Sequence, residues 1–253
     1  MVRHVFFGIL LAITVSFAVG KSADAREFTV DLSKRVVQIT AGFHGTDLLI
    51  FGVAPGDGDI VVVVRGPQHD EIVRKKRKVL GVWVNGDEIT FEGVPSFYSM
   101  ASNRPLDHFL PGDVAAVQQI GLENLLLIPK DEARSSADPH SWDHFRHAFL
   151  RNKVANGLYR AETGNLNFLG NRLFRTEVHF PANVSVGTFG IDVHLIRKGE
   201  LVATETTLLN VRKFGIEARI FNFAHRYSFA YGVIAVIIAG FAGWAANAAF
   251  RKA

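Results

Sequence analysis

Three groups of side chains in this 253-residue chain are of types and spacings that could do chemistry. His140, His144 and His147 advance by four and then three residues, so on a helix they share one face. Neutral imidazoles one turn apart can ligate a transition metal. The same spacing is also that of the solvated side of an amphipathic helix whose other side carries Trp142, Phe145 and Phe149. The second group is the unbroken run Arg74-Lys75-Lys76-Arg77-Lys78. As a strand it divides into Arg74, Lys76 and Lys78 on one face and Lys75 and Arg77 on the other. Neither face can be buried deeply, because unpaired charges are costly to desolvate. An exposed or edge strand is therefore expected, its lysines discouraging edge-to-edge pairing. With Arg65 and Arg104 added, the same residues could form a patch for an anion or an acidic partner. The third group, Pro95–Pro105, holds Ser96, Tyr98, Ser99 and Ser102. It has no G-x-S-x-G elbow, and no acid and histidine at a recognisable spacing.

What is missing narrows the chemistry further. The chain has no cysteine, which excludes thiol catalysis, Cys-ligated zinc, iron–sulfur clusters and c-type haem attachment. No phosphate loop or dinucleotide fingerprint occurs. No catalytic residue and no cofactor is assigned, and the expectation is a protein that is not an enzyme. The net charge of +4 and pI near 9.4 are mild. They fit anionic headgroups, small anions or an acidic protein surface, with nucleic acid not expected as a partner.

The elements that must carry these groups are mostly strands. Phe28–Leu32 and Val37–Thr40 alternate apolar and polar residues. Leu48–Val53 and Ile60–Val64 are continuous apolar runs between Gly, Asp and Pro, as in a sheet packed on both faces. Pro55–Asp59 reads as a turn, and Asn85-Gly86 within Gly81–Asp87 as the strongest hairpin signal. Residues 130–140 read as a linker, Ser141–Arg160 as a helix and Gly164–Gly170 as a loop. Strand patterns resume at Thr176–Phe180, Thr188–Ile196 and Leu201–Val211. The expected fold is mainly β: a periplasmic β-sandwich-like domain with a helical insertion and one C-terminal transmembrane helix.

The two ends address the protein to a membrane. Tyr227–Phe250 holds no charged residue and is long enough to cross a hydrocarbon core about 30 Å thick. Gly232, Ala235, Ala239, Gly243 and Ala246 form a stripe of small residues along it, suited to close helix packing in lipid. At the other end, Arg3 and His4 precede the apolar Val5–Val19, with Ala23-Asp24-Ala25 as an A-x-A site. Cleaved or retained as an anchor, this segment exports the middle of the chain. Arg212, Lys213, Arg219 and Arg226 precede the span, and Arg251 and Lys252 come after it, so a local charge count would reverse the topology. Long domains, however, translocate largely regardless of charge. Phe214–Ala224 reads as either an interfacial amphipathic helix or a last strand.

Phe51-Gly52, Val64-Arg65-Gly66-Pro67, Arg74-Lys75-Lys76 followed by Gly81-Val82-Trp83-Val84-Asn85, and Pro95-Ser96-Phe97-Tyr98 occur in that order. With Gly187-Thr188-Phe189 and the Gly243-Trp244 of the span, they resemble the alphaproteobacterial transmembrane family Alph_Pro_TM. The resemblance implies an exported, singly anchored protein, with an accessory role beside permeases of the sulfite-exporter type. It brings no catalytic residues. The expected organisation is a signal peptide at 1–25, a β-rich region at 26–130, and a linker and helix at 131–170. Strands at 171–213 complete the sandwich or form a small second sheet. A juxtamembrane segment at 214–226, the span at 227–250 and a cytoplasmic tail at 251–253 complete the chain. The expected role is an accessory or interaction module for an envelope protein such as a permease, or self-association through the span. The alternative is a periplasmic module that binds an anion or a transition metal.

Overall fold

Two strands near the N-terminus show how the sheet closes. In the computed structural model, which describes residues 28–130 and 139–250, β1 (Thr29–Leu32) and β2 (Val36–Ile39) lie at opposite edges of one nine-stranded sheet. Only Ser33, Lys34 and Arg35 separate them, a reach of about 14 Å at most. The sheet must therefore curl until its edges meet. The result is sandwich-like. One half holds β1, β3 (Gly45–Val53), β10 (Leu173–Pro181) and β9 (Gly164–Leu169). The other holds β7 (Tyr98–Ser102), β4 (Asp59–Arg65), β11 (Gly187–Arg197), β12 (Glu200–Lys213) and β2. Pairing is antiparallel except where β7 meets β9 and β12 meets β2. The strands after residue 164 thus share one sheet with those of the first half of the chain. The expected signal peptide, residues 131–138 of the expected linker and the 251–253 tail lie outside the described residues.

Alternation sorts the side chains into two cores. Leu48, Ile50, Phe174, Val178, Phe180, Phe189, Ile191 and Val193 fill the space between the two halves. There Phe97 stacks on Phe180 at 5.0 Å between centroids, and Phe189 meets Phe180 edge-on. β4 is buried on both faces, as its unbroken apolar run requires: Ile60, Val62 and Val64 face this core. Val61 and Val63 face a second core on the outer side, with Tyr98, Met100, Tyr159 and Ile196. That second core is roofed by α1 (Gly112–Val117) and α2 (Pro139–Ala155), with Phe145 and Phe149 of α2 buried in it.

Between β4 and β7 the chain makes a long excursion, β5 (Gln68–Val79) and β6 (Val82–Pro95). These form a separate sheet with the two-residue β8 (Ile128–Pro129). The ladder is continuous with the sandwich: Arg65 faces Tyr98, Gly66 N–H donates to Phe97 O, Ser96 N–H donates to Pro67 O, and Gln68 faces Pro95. The excursion is an arm grown from the β4–β7 hairpin. Ile89, Phe91 and Val94 tie its root into the second core, and Phe91 lies 5.8 Å from Phe149 of α2.

Two sequence expectations change here. The hairpin turn is Leu80-Gly81, not Asn85-Gly86. Gly86 and Asp87 sit in a bulge of β6, two residues opposite Lys75 alone, so their turn chemistry serves an irregularity within the strand. Gly164–Leu169 is a strand rather than a loop, because Leu166 and Phe168 pack inward and Thr176 Oγ1 donates to Asn165 O. Within Pro95–Pro105, every residue of β7 is buried. Of the two readings left open for Phe214–Ala224, the segment is mostly helix. After β12, Phe214 N–H donates to Ile39 O, and the chain continues as α3 (Ile216–Arg226) and α4 (Ser228–Phe250).

Candidate functional site: a basic arm with an apolar tip

The predicted anion patch does not assemble. Arg65 and Arg104 are held at opposite ends of the seven-residue β4, about 20 Å apart along the strand. Arg65 donates from Nη1 to Asp192 Oδ2 at 2.5 Å and from Nη2 to Gln118 O and Gln119 O. Asp192 also accepts from Thr206 Oγ1 at 2.7 Å. Tyr98 Oη donates to Gln119 O and accepts from Gly121 N–H. Burial pushes this phenol up to about 12, so it stays protonated and serves as a tie. Arg104 grips both carboxylate oxygens of Asp59 at 2.5 and 2.6 Å and lies 5.0 Å over the Phe109 ring. Both arginines are structural clamps.

The other titratable groups inside the molecule are also engaged. Lys153, buried on α2, bonds Glu71, which His69 also reaches at 2.8 Å. Burial alone would raise the Glu71 carboxyl, but Lys153 and His69 outweigh it and hold the group below its ordinary value. A groove of about 620 Å³ runs between β5 and α2 past this pair. His194 is buried beside Thr204, 2.9 Å from its Oγ1, and burial depresses the imidazole to about 4. The histidine stripe lies on α2 from its second residue, His140, onward, with His144 and His147 exposed. Among the described residues no group of three His, Cys, Asp or Glu could hold a metal ion.

The arm is different. β5 is an edge strand, and Arg74 pairs with Glu88 at 2.6 Å. Among the described residues no ion pair involves Lys75, Lys76, Arg77 or Lys78. Lys76 and Lys78 share a face with Asn85 and Trp83, and Arg77 and Val79 share the other with Val84 and Val82. The tip is apolar: Leu80 is 100% exposed, Trp83 65% and Val82 64%. Leu80 and Gly81 have φ of 49° and 88°, the positive pair of a type I′ turn. Asn or Asp suits the first of these positions. A leucine there is strained by about 1–2 kcal/mol and packs against nothing. Folding gives no reason for that residue. These tip residues escaped the sequence reading because Asn85-Gly86 drew the turn away from them. The signal that could have found them is Val79-Leu80-Gly81-Val82-Trp83 directly following five cations.

The root of the arm and the exit toward the span share one end of the sandwich. Arg65 faces Gly190 of β11, Gly190 faces Leu208 of β12, and β12 ends five residues later at Lys213. α4 then runs 23 residues, about 34 Å at 1.5 Å each. Its Ser228–Asn247 stretch has no face buried against the protein. The small residues Gly232, Ala235, Ala239 and Gly243 are exposed along it, as is Ala246. The family model described as Putative transmembrane protein (Alph_Pro_TM) matches residues 27–252. The chain belongs to this family. Its Alph_Pro_TM membership and the apolar α4 make it a membrane protein, with the sandwich and arm as the non-spanning part. No curated protein and no solved structure matches it.

Proposed function

We propose that the chain is a non-enzymatic accessory module of the inner membrane that works by contact with another envelope protein. α4 anchors it, the sandwich lies in the periplasm and the C-terminus in the cytoplasm. The apolar Val5–Val19 segment behind a basic start supports that orientation over the local charge count. A permease is the partner class that the family resemblance favours.

One observation carries the reading: the arm and the strand leading to the span leave the sandwich at the same end. The buried and half-buried charges of the sandwich are paired, through Arg65–Asp192 and Arg104–Asp59, and Lys153 of the α2 roof pairs with Glu71 at the root of the arm. Toward its tip the arm keeps Lys75–Lys78 without an ion pair among the described residues and Leu80, Val82 and Trp83 exposed, and the span keeps an apolar surface. Contact at or in the bilayer is what such a distribution serves. The small-residue face of α4 supports a lateral helix partner, whether a second protein or a second copy of the chain.

Co-purification of the full chain from native membranes, with identification of the proteins retained, tests this. A recurrent membrane-protein partner is expected. A chain recovered alone, carrying bound anion or metal, would replace the reading with a binding module. Lys75–Lys78 would then serve an anion, or His140, His144 and His147 a metal.

A further inference from the structure

We propose that the arm is a second, reversible membrane contact: Val79, Leu80, Val82 and Trp83 enter the headgroup layer of an anionic bilayer, and Lys75, Lys76, Arg77 and Lys78 meet its phosphates. The order of residues along the arm matches the order of layers. Apolar side chains occupy the turn, and the four cations lie within the next four residues of β5, about 13 Å of strand. The polar layer on each side of a hydrocarbon core is several ångströms deep, so tip and cations sit at the two depths that suit them. From Arg74 to Glu88 the arm carries five basic and two acidic residues.

The distribution of charge selects lipid over a protein groove. Lys76 and Lys78 project from one face of the ribbon, and Lys75 and Arg77 from the other. A groove would meet one face and leave the opposite pair unused. A plane of anionic headgroups around an inserted tip meets both. Trp83, directly across from Lys78, has the amphipathic ring that settles at such interfaces. Leu80, strained and wholly exposed, gains an apolar environment only on insertion. Because α4 already holds the chain at a membrane, the arm needs little intrinsic affinity.

The proposal rests on the membrane tether and not on the identity of any protein partner. The absence of cysteine permits single-site labels in the full chain. A nitroxide at Leu80→Cys, and one at Glu200→Cys at the far end of the sandwich, are read in nanodiscs of phosphatidylcholine alone or mixed with phosphatidylglycerol. In the mixed discs the Leu80 label is expected to lose collisions with a water-soluble nickel chelate several-fold and gain them with oxygen. The Glu200 label stays aqueous throughout. Reversing Lys75, Lys76, Arg77 and Lys78 to Glu returns the Leu80 label to water. An aqueous Leu80 label in both lipids overturns the proposal, as does protection that appears only when a co-purified protein is added. Should the reversed variant misfold, the lipid comparison on the unreversed chain still decides. Nanodiscs contain no other protein, so failure here leaves the co-purification test untouched.

Discussion

Pro67 lies against the bare Cα of Gly187: a Cβ built on that glycine would stand 2.8 Å from Pro67 Cγ. Gly187 opens β11 directly across from Val211, two residues before β12 ends. Pro67 is the first link of the arm beyond the sandwich. The contact therefore joins the root of the arm to the strand that leads to the membrane.

Gly187→Ala would meet both that clash and a φ of +141°, which a side chain rarely tolerates. A loss of about 1–3 kcal/mol is expected in thermal unfolding of the full chain in detergent. Pro67→Ala in the same chain removes the Cγ contact but keeps the Cβ of residue 67 at 3.0 Å, so it should return only part of the steric loss and none of the backbone part.

The clamping arginine should behave unlike the cations of the arm. Asp192→Ala leaves Arg65, whose side chain is 20% exposed, without its counter-charge and with only the Gln118 and Gln119 carbonyls, and should destabilise the fold by about 1–3 kcal/mol. Lys76→Ala, at an exposed site without a partner, should stay within about 0.5 kcal/mol. Chemical denaturation of the two variants side by side checks the contrast.

Acid should act first through His194. Its folded value near 4 lies below the ordinary 6.5, so the unfolded chain binds the proton more readily. Stability is complete above about pH 6.5 and is lost as pH falls toward 4, by about 3 kcal/mol at most. Glu71, held below its ordinary 4.5, adds its own loss only beneath that value. Unfolding midpoints between pH 7 and 4 should fall in the parent chain and flatten in His194→Gln.

Leu80→Asn should relax the turn. Asn-Gly is the preferred pair for the two positive φ values, and relief of about 1 kcal/mol should slow amide exchange at the end of the arm. The same substitution should weaken the arm's hold on anionic nanodiscs. Slower exchange with unchanged binding would separate the strain from the function proposed for it.

Much of the fold was legible because burial leaves a period in the sequence. Ile60–Val64 reads as a strand covered on both sides, and β4 is one, with alternate residues in two different cores. Trp142, Phe145 and Phe149 mark the inward face of α2, two of them fully buried. Where two local signals competed, the pattern could not choose. Asn85-Gly86 is good turn chemistry, yet the register that keeps Ile89 and Phe91 in the core pairs Asn85 with Lys76 and puts Gly86 in a bulge. Long-range pairing was not legible. Nothing local to Arg65 announces Asp192, 127 residues away, and so a clamp resembled part of a basic patch.

The most direct measurement is the reactivity of single cysteines at Leu80 and Glu200 toward a membrane-impermeant thiol reagent added to intact spheroplasts. A periplasmic sandwich with its arm seated in the bilayer predicts rapid labelling at Glu200→Cys and protection at Leu80→Cys, lifted when Lys75–Lys78 are reversed to Glu. Equal labelling at both positions would contradict the seated arm, and no labelling at Glu200 without permeabilisation would contradict the orientation itself.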